Sequence, residues 1–207
     1  ENAAAVAHHR DCAGVVKDVS ATDLYLITIT LGATAVTLNQ YAEGYIHIND
    51  GDGVEQGQLL KIKSHPAAVA NATCEFTLYD PIGSHTDLDT STKCDLILNS
   101  YKEVVIAAIS EVGVVLGITP IKFTADKFGW IQVAGPASVL YTLNDGGGGA
   151  PALAIGDKVI RNDAVTGSVQ AMNSAFAHSE ARLQIIGTTM VANSSTDQIV
   201  IKMNNLL

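Results

Sequence analysis

Short runs of β-branched, aromatic and aliphatic residues, separated by turn formers, recur along almost the whole chain. Leu24-Tyr-Leu-Ile-Thr-Ile-Thr-Leu31 reads as a strand, and Ala35-Val-Thr-Leu38 resumes the pattern after a break at Gly32. Such residues suit a pleated, half-buried surface. Residues 45–48, 59–62, 74–79, 94–98 and 104–109 predict further strands in the first half. In the second half the same signal falls at 112–116, 118–123, 130–133, 138–143, 158–160, 183–186 and 198–203. Asn49-Asp50-Gly51, Asp80-Pro81, Gly135-Pro136 and Asn144-Asp145-Gly146 supply the turns between them. Many short strands punctuated in this way predict an all-β sandwich or barrel. Helical signals are weak. Residues 67–71 predict at most one turn, and 172–182 a short helix capped by Asn173 or Ser174.

One phrase occurs twice. Gly44-Tyr45-Ile46-His47-Ile48 and Gly129-Trp130-Ile131-Gln132-Val133 both read glycine, aromatic, isoleucine, polar, aliphatic. A second glycine-led strand follows each, at Gly57 and at Gly156. The repetition predicts two related β-sandwich or barrel-like modules of short antiparallel strands with little helix, at residues 21–100 and 101–207. Residues 1–20 are too weakly patterned for either and are expected to form an N-terminal arm, with one strand around 15–19. Gly44, Tyr45, Gly129 and Trp130 are the structural or interface candidates. Trp130 is expected to anchor a module core or a subunit contact.

Charge narrows the function classes. The chain has 207 residues, 47% of them hydrophobic and only 16% charged, with a net charge of −9. That describes a folded protein with an unusually apolar surface, and such a surface is often covered by identical neighbours. Gripping nucleic acid needs clustered Lys and Arg, whereas the 12 basic residues here are scattered. No apolar run approaches the roughly 20 residues of a membrane-spanning helix. The opening Glu1-Asn2-Ala3-Ala4-Ala5 lacks an initiator Met and a signal-peptide layout, which leaves room for residues upstream. Cys12, Cys74 and Cys94 show no paired CxxC spacing. Free thiols and cytosolic assembly fit best, with a Cys74–Cys94 bridge as the alternative.

Asn49-Asp50-Gly51-Asp52-Gly53 opens like a calcium loop, but Val54 and Lys61 stand where the fifth and twelfth positions need oxygen donors. A tight hairpin tip is the expectation, a calcium ion shared with a neighbouring chain the alternative. His8-His9-Arg10-Asp11-Cys12 gathers ligand-type side chains, yet adjacent residues of an extended segment point to opposite sides. A polar arm is expected there. Ser64-His65-Pro66 and His85-Thr86-Asp87 hold isolated histidines near turns, and the GxSxG nucleophile elbow is missing. The four glycines at 146–149 lead to Pro151 and a strand rather than to a phosphate-binding helix. Val54-Glu-Gln-Gly-Gln-Leu59 echoes the glycine turn of lipoyl and biotinyl carrier domains without their modifiable lysine. No catalytic residue, metal ligand or cofactor is therefore expected, and the chain is not read as an enzyme.

Asn39-Gln-Tyr-Ala-Glu-Gly-Tyr-Ile-His-Ile-Asn-Asp-Gly51, Ile62-Lys-Ser-His-Pro-Ala67 and Leu78-Tyr-Asp-Pro-Ile82 resemble the first half of a virion-protein family of tailed phages that infect aquatic bacteria. Phe128-Gly-Trp-Ile-Gln-Val-Ala-Gly-Pro136, Ala154-Ile-Gly-Asp157, Thr166-Gly-Ser168 and Ile186-Gly-Thr188 follow the same pattern in order. The resemblance covers about 35–205 and leaves the first 30 residues outside it. It implies a capsid decoration or cement protein on the head exterior, assembled in the host cytoplasm. The implied partners are the major capsid protein and further copies of the chain, as a trimer. A receptor-facing or glycan-binding fibre or spike module is the alternative, with Tyr41, Tyr45 and Trp130 as its aromatic platform.

Overall fold

A computed structural model of the chain describes residues 9–13, 16–17, 24–50, 56–82, 88, 91–108, 113–124, 127–143, 152–162, 164–172, 184–192 and 197–204. Among these residues the regular secondary structure is entirely strand. The chain divides into two compact units, one within Ala4–Lys102 and the other within Glu103–Leu207.

The first unit contains β1 (Val16–Lys17), β2 (Leu26–Thr30), β3 (Tyr45–Asp50), β4 (Leu59–Ser64), β5 (Thr73–Leu78) and β6 (Lys93–Ile97). They form one antiparallel sheet in the order β1-β2-β5-β4-β3-β6. Period-two patterning decides which face goes inside. Ile27 and Ile29 of β2, Ile46 and Ile48 of β3, Ile62 of β4, Cys74, Phe76 and Leu78 of β5, and Cys94 and Leu96 of β6 are all buried in one core. Residues between them on the same strands stay partly or fully exposed, as a sheet with one dry face requires. Asn49 is an extra residue between the Ile48–Cys94 and Asp50–Lys93 pairs, a bulge near the end of β3.

The described part of the arm expected over residues 1–20 is paired into the sheet, and β1 falls within the strand run expected at 15–19. Cys12 and Cys94 exchange two backbone hydrogen bonds of 2.8 and 2.9 Å, and the Leu96 N–H donates to the His9 carbonyl. Ala13 accepts from the Thr30 N–H, and Val16 and Lys17 pair with Thr28 and Ile27. One N-terminal run thus hydrogen-bonds to β6 at one edge of the sheet and to β2 at the other. Both edges are occupied, which removes the exposed backbone groups that invite edge-to-edge association. The apolar residues of the arm are all small and unpatterned, yet Cys12 belongs to the core and His9 is fully buried.

The second unit contains β7 (Gly135–Tyr141), β8 (Lys158–Arg161), β9 (Val169–Ala171), β10 (Ile185–Val191) and β11 (Asp197–Met203). They close into a barrel in the order β10-β11-β7-β9-β8, with β8 pairing back onto β10. Every pairing is antiparallel except β7 with β9, which meet in parallel at Tyr141 and Val169. Val139, Tyr141, Val159, Ile186, Ile199 and Ile201 fill the interior.

The two halves honour the strand expectations unequally. Each strand from β2 to β6 falls on a predicted run, whereas 104–108, 113–124 and 127–133 carry strand-like residues yet form only one isolated pair, Ile118 with Gln132. The turn expected at 67–71 contains a bridge from Val36 to Ala68 and no helix. The helix expected over 172–182 lies almost wholly outside the described residues, as do the 146–149 glycines.

Candidate interaction surface

The two glycine–aromatic phrases take different structures. Gly44 leads into β3, and Tyr45 stands half-exposed on its outer face between Lys61 of β4 and Ile97 of β6. A Cβ at Gly44 would lie 2.2 Å from the Ile97 carbonyl oxygen and 3.0 Å from the Asn99 nitrogen. Only glycine lets the chain pass so close to another backbone.

Gly129 and Trp130 belong to no strand. The segment containing them is an excursion whose base is fixed at two places. Ile118 and Gln132 exchange hydrogen bonds of 2.9 and 2.8 Å, and the Gln132 side-chain amide donates to the carbonyls of Ala134 and Pro136. Just before it, the Val115 N–H donates to the Gln184 side chain at 2.8 Å, and Val115 is buried in the barrel core. At its tip a Cβ on Gly129 would fall 2.0 Å from the Phe123 ring. Phe123 therefore lies against bare backbone. On either side of that glycine, Phe128 is 106% exposed and Trp130 87%. These are the two most exposed large apolar side chains among the described residues. Trp130 does not anchor a core, because its side chain stands in solvent.

The histidine motifs resolve into structural groups. His9 and His65 sit on either side of Tyr41 in a buried chain of hydrogen bonds. The Tyr41 hydroxyl lies 2.5 Å from His9 Nδ1, and His9 Nε2 is 2.9 Å from the Thr34 carbonyl. The carbonyl can only accept, so Nε2 carries the proton and the phenol donates to Nδ1. The Tyr41 backbone N–H donates to His65 Nε2 at 2.9 Å, while His65 Nδ1 is 2.8 Å from the Pro66 carbonyl. His65 is thereby fixed as the neutral Nδ1–H tautomer. Its ring packs at 4.7 Å from that of Phe76. Burial lowers the His65 pKa below its ordinary value, and the same burial pushes the Tyr41 phenol up.

His47 of β3 lies 3.4 Å from Asp95 of β6, the nearest approach to a catalytic dyad. Burial alone would raise the Asp95 carboxyl, but hydrogen bonds from the Asp11 N–H, Asn49 and His47 outweigh it and hold it low. Among the described residues no hydroxyl or thiol bonds to the His47 ring, so the pair ties β3 to β6 rather than activating a nucleophile. Nearby, Lys93 reaches Asp11 at 3.5 Å and Asp50 at 3.8 Å. Asp52 and Gly53 of the calcium-like motif and the His85–Asp87 motif lie outside the described residues. Among those described, no three His, Cys, Asp or Glu side chains converge as a metal site would need. The three cysteines are buried and none is in a disulfide. Burial raises the pKa of all three thiols, that of Cys74 to about 11.

Comparisons with known protein families, with curated proteins and with solved structures find no match.

The surface is where the two units have something to offer a partner. Besides the excursion, Ile106, Ile155, Val69 and Leu38 are each more than two-thirds exposed. In the first unit Lys61 pairs with Glu43 at 3.0 Å and sits 5.2 Å over the Tyr79 ring, whose hydroxyl donates to the same carboxylate. Tyr79 and Lys61 together hold Glu43 below the usual carboxylate range. Reasoning from sequence named Trp130 but missed Phe128, its equal in exposure. The signal was available, since Phe128-Gly129-Trp130 puts aromatics on both sides of a glycine.

Proposed function

We propose that this chain is a structural virion protein that decorates and stabilises a phage head through protein–protein contacts, with the major capsid protein and other copies of itself as partners. One observation carries the reading. Large apolar side chains stand in solvent on both units, with Phe128, Trp130, Ile155, Ile106, Val69 and Leu38 between 69% and 106% exposed. A chain with 16% charged residues that leaves such groups bare is suited to burying surface against neighbours. Burial returns roughly 25 cal/mol per Å² of apolar area. A modest contact repeated over a lattice therefore adds up by multivalency.

The test is to strip the protein from purified heads and add it back. Heads without it should assemble but rupture at lower temperature, and re-addition should restore the native rupture temperature. Heads whose rupture temperature ignores the protein would overturn the reading. A second reading is favoured by the bare Trp130 ring: a receptor-facing module that stacks a sugar on its aromatic face. Copy number separates the two, hundreds per particle for decoration and a few for a spike.

A further inference from the structure

The excursion between Ile118 and Gln132 is the most unusual surface of the molecule. Loops this long are uncommon in compact domains, and the described residues of this one lie in no strand. Its base is closed by the backbone hydrogen bonds between Ile118 and Gln132, tied to β7 by the Gln132 side chain at Pro136, and flanked by Val115 in the core, so the exposed side chains ride on a fixed support. Ile121, Phe128 and Trp130 at the tip are 67%, 106% and 87% exposed. Two aromatic rings alone carry about 300–500 Å². That supplies most of the apolar share of the roughly 800 Å² that each partner buries in a stable interface.

Charge selects the occupant. The excursion carries exposed Lys122 and Lys127 against a single carboxylate, Asp126, in the sequence, whereas the chain as a whole is at −9. The rest of the molecule is therefore acidic, and a second copy presents the sign the lysines need. Excursion against excursion would set lysine against lysine. Excursion against the acidic body of the next copy would not. Among the described strands, those of the second unit close into a barrel and the N-terminal run covers β2 and β6 of the first, so the contact is assigned to side chains.

We infer that the described residues 119–124 and 127–131 form a self-association site that docks head-to-tail on a second copy of this chain, with Phe128 and Trp130 as anchors and Lys122 and Lys127 as a basic rim. A heterologous contact of this kind closes into a ring when its rotation permits. The inference does not rest on attachment to a capsid, and it holds or fails in purified protein.

Trp130 is the only tryptophan of the chain, so intrinsic fluorescence reads this site alone. The experiment follows the full-length protein by sedimentation velocity and tryptophan emission across two decades of micromolar concentration. The expected result is a concentration-dependent oligomer whose emission shifts to the blue as it forms. The double variant F128S/W130S should sediment as a monomer with an unchanged circular dichroism spectrum and melting temperature. Its dissociation constant should rise by roughly a hundredfold or more, the loss of two central anchors. K122E/K127E, which keeps the tryptophan, should associate more weakly and with less dependence on salt. A wild-type chain that stays monomeric with solvent-exposed tryptophan emission would overturn the proposal, even if it bound heads through Trp130. So would an F128S/W130S variant that assembles like the wild type.

Discussion

Gly44–Ile48 and Gly129–Val133 are nearly the same five-residue phrase, and they end in opposite environments. In the first, glycine passes against the Ile97 backbone, the isoleucine and the aliphatic residue enter the core, and the tyrosine stands half-exposed between two neighbouring strands. In the second, glycine lies nearest the Phe123 ring, the isoleucine is half-buried, and the tryptophan stands in solvent. What separates them is partners. β3 has β4 on one side and β6 on the other, whereas the second phrase has a single bridge at Gln132. A pattern of residues specifies a strand only when another strand is there to receive it.

The largest difference should appear at the two glycines. Gly44→Ala drives a Cβ into backbone that no rotamer change relieves, so it should cost about 3 kcal/mol or more of unfolding free energy, beyond the usual range for overpacking. Gly129→Ala displaces one ring at the tip of an excursion and should cost under about 1 kcal/mol. Urea unfolding of both variants measures this, and equal losses would erase the distinction.

Acid should discriminate next. Tyr41, whose carbonyl accepts from the Gly44 N–H, rests on the neutral His65 ring. Protonated His65 would present an N–H to the Tyr41 N–H, two donors face to face. Because burial lowers its pKa in the folded chain, the unfolded chain takes up the proton first. Stability is then complete above the unfolded value of about 6.5 and falls as pH drops from there toward the folded value. His65→Gln keeps an acceptor for Tyr41 without a titrating ring and should flatten the slope of melting temperature between neutral and mildly acid pH. An unchanged slope would remove His65 from the account.

Thiol chemistry gives a smaller, kinetic readout on the same side of the comparison. Cys94 is paired with Ile48 of the first phrase, and Cys12 and Cys74 share its core. Buried thiols held above their ordinary pKa offer little thiolate. All three should resist Ellman's reagent until the first unit opens, and then react together. Prompt reaction of one thiol in native buffer would show that its part of the core is open.

The smallest effect on stability should come from Trp130→Ala, within about 0.5 kcal/mol by thermal unfolding, as expected for an exposed site. A loss of several kcal/mol would mean that the ring is buried in the free chain.

The all-β class and the first unit's strands were legible because alternation in runs such as Tyr45-Ile46-His47-Ile48 matches the observed burial residue by residue. Less could be read where structure depends on distant partners. Residues 104–108 and 118–123 have strand-like composition, but pairing is a property of two segments and composition of one. β9, only Val169–Ala171, is too short to show a period at all. His9, Tyr41 and His65 are scattered through the sequence, and no spacing rule announces that a phenol will lie between two imidazoles. The candidate surface is half-visible in sequence: Trp130 stands out as an aromatic, but the same letters suit a module core or a subunit contact, and only its exposure separates the two.

The closing run at the N-terminus also sets the order in which the first unit can be finished. Cys12 emerges from the ribosome about 80 residues before Cys94, its backbone partner. At about 5–20 residues per second that is roughly 4–16 s of waiting. The sheet can begin with neighbours such as β3 and β4, but its last seam closes a loop spanning nearly the whole unit, the slowest kind of contact to make. During synthesis residues 9–13 are thus among the last of this unit to be secured, and the first unit stays unsealed until β6 has been made.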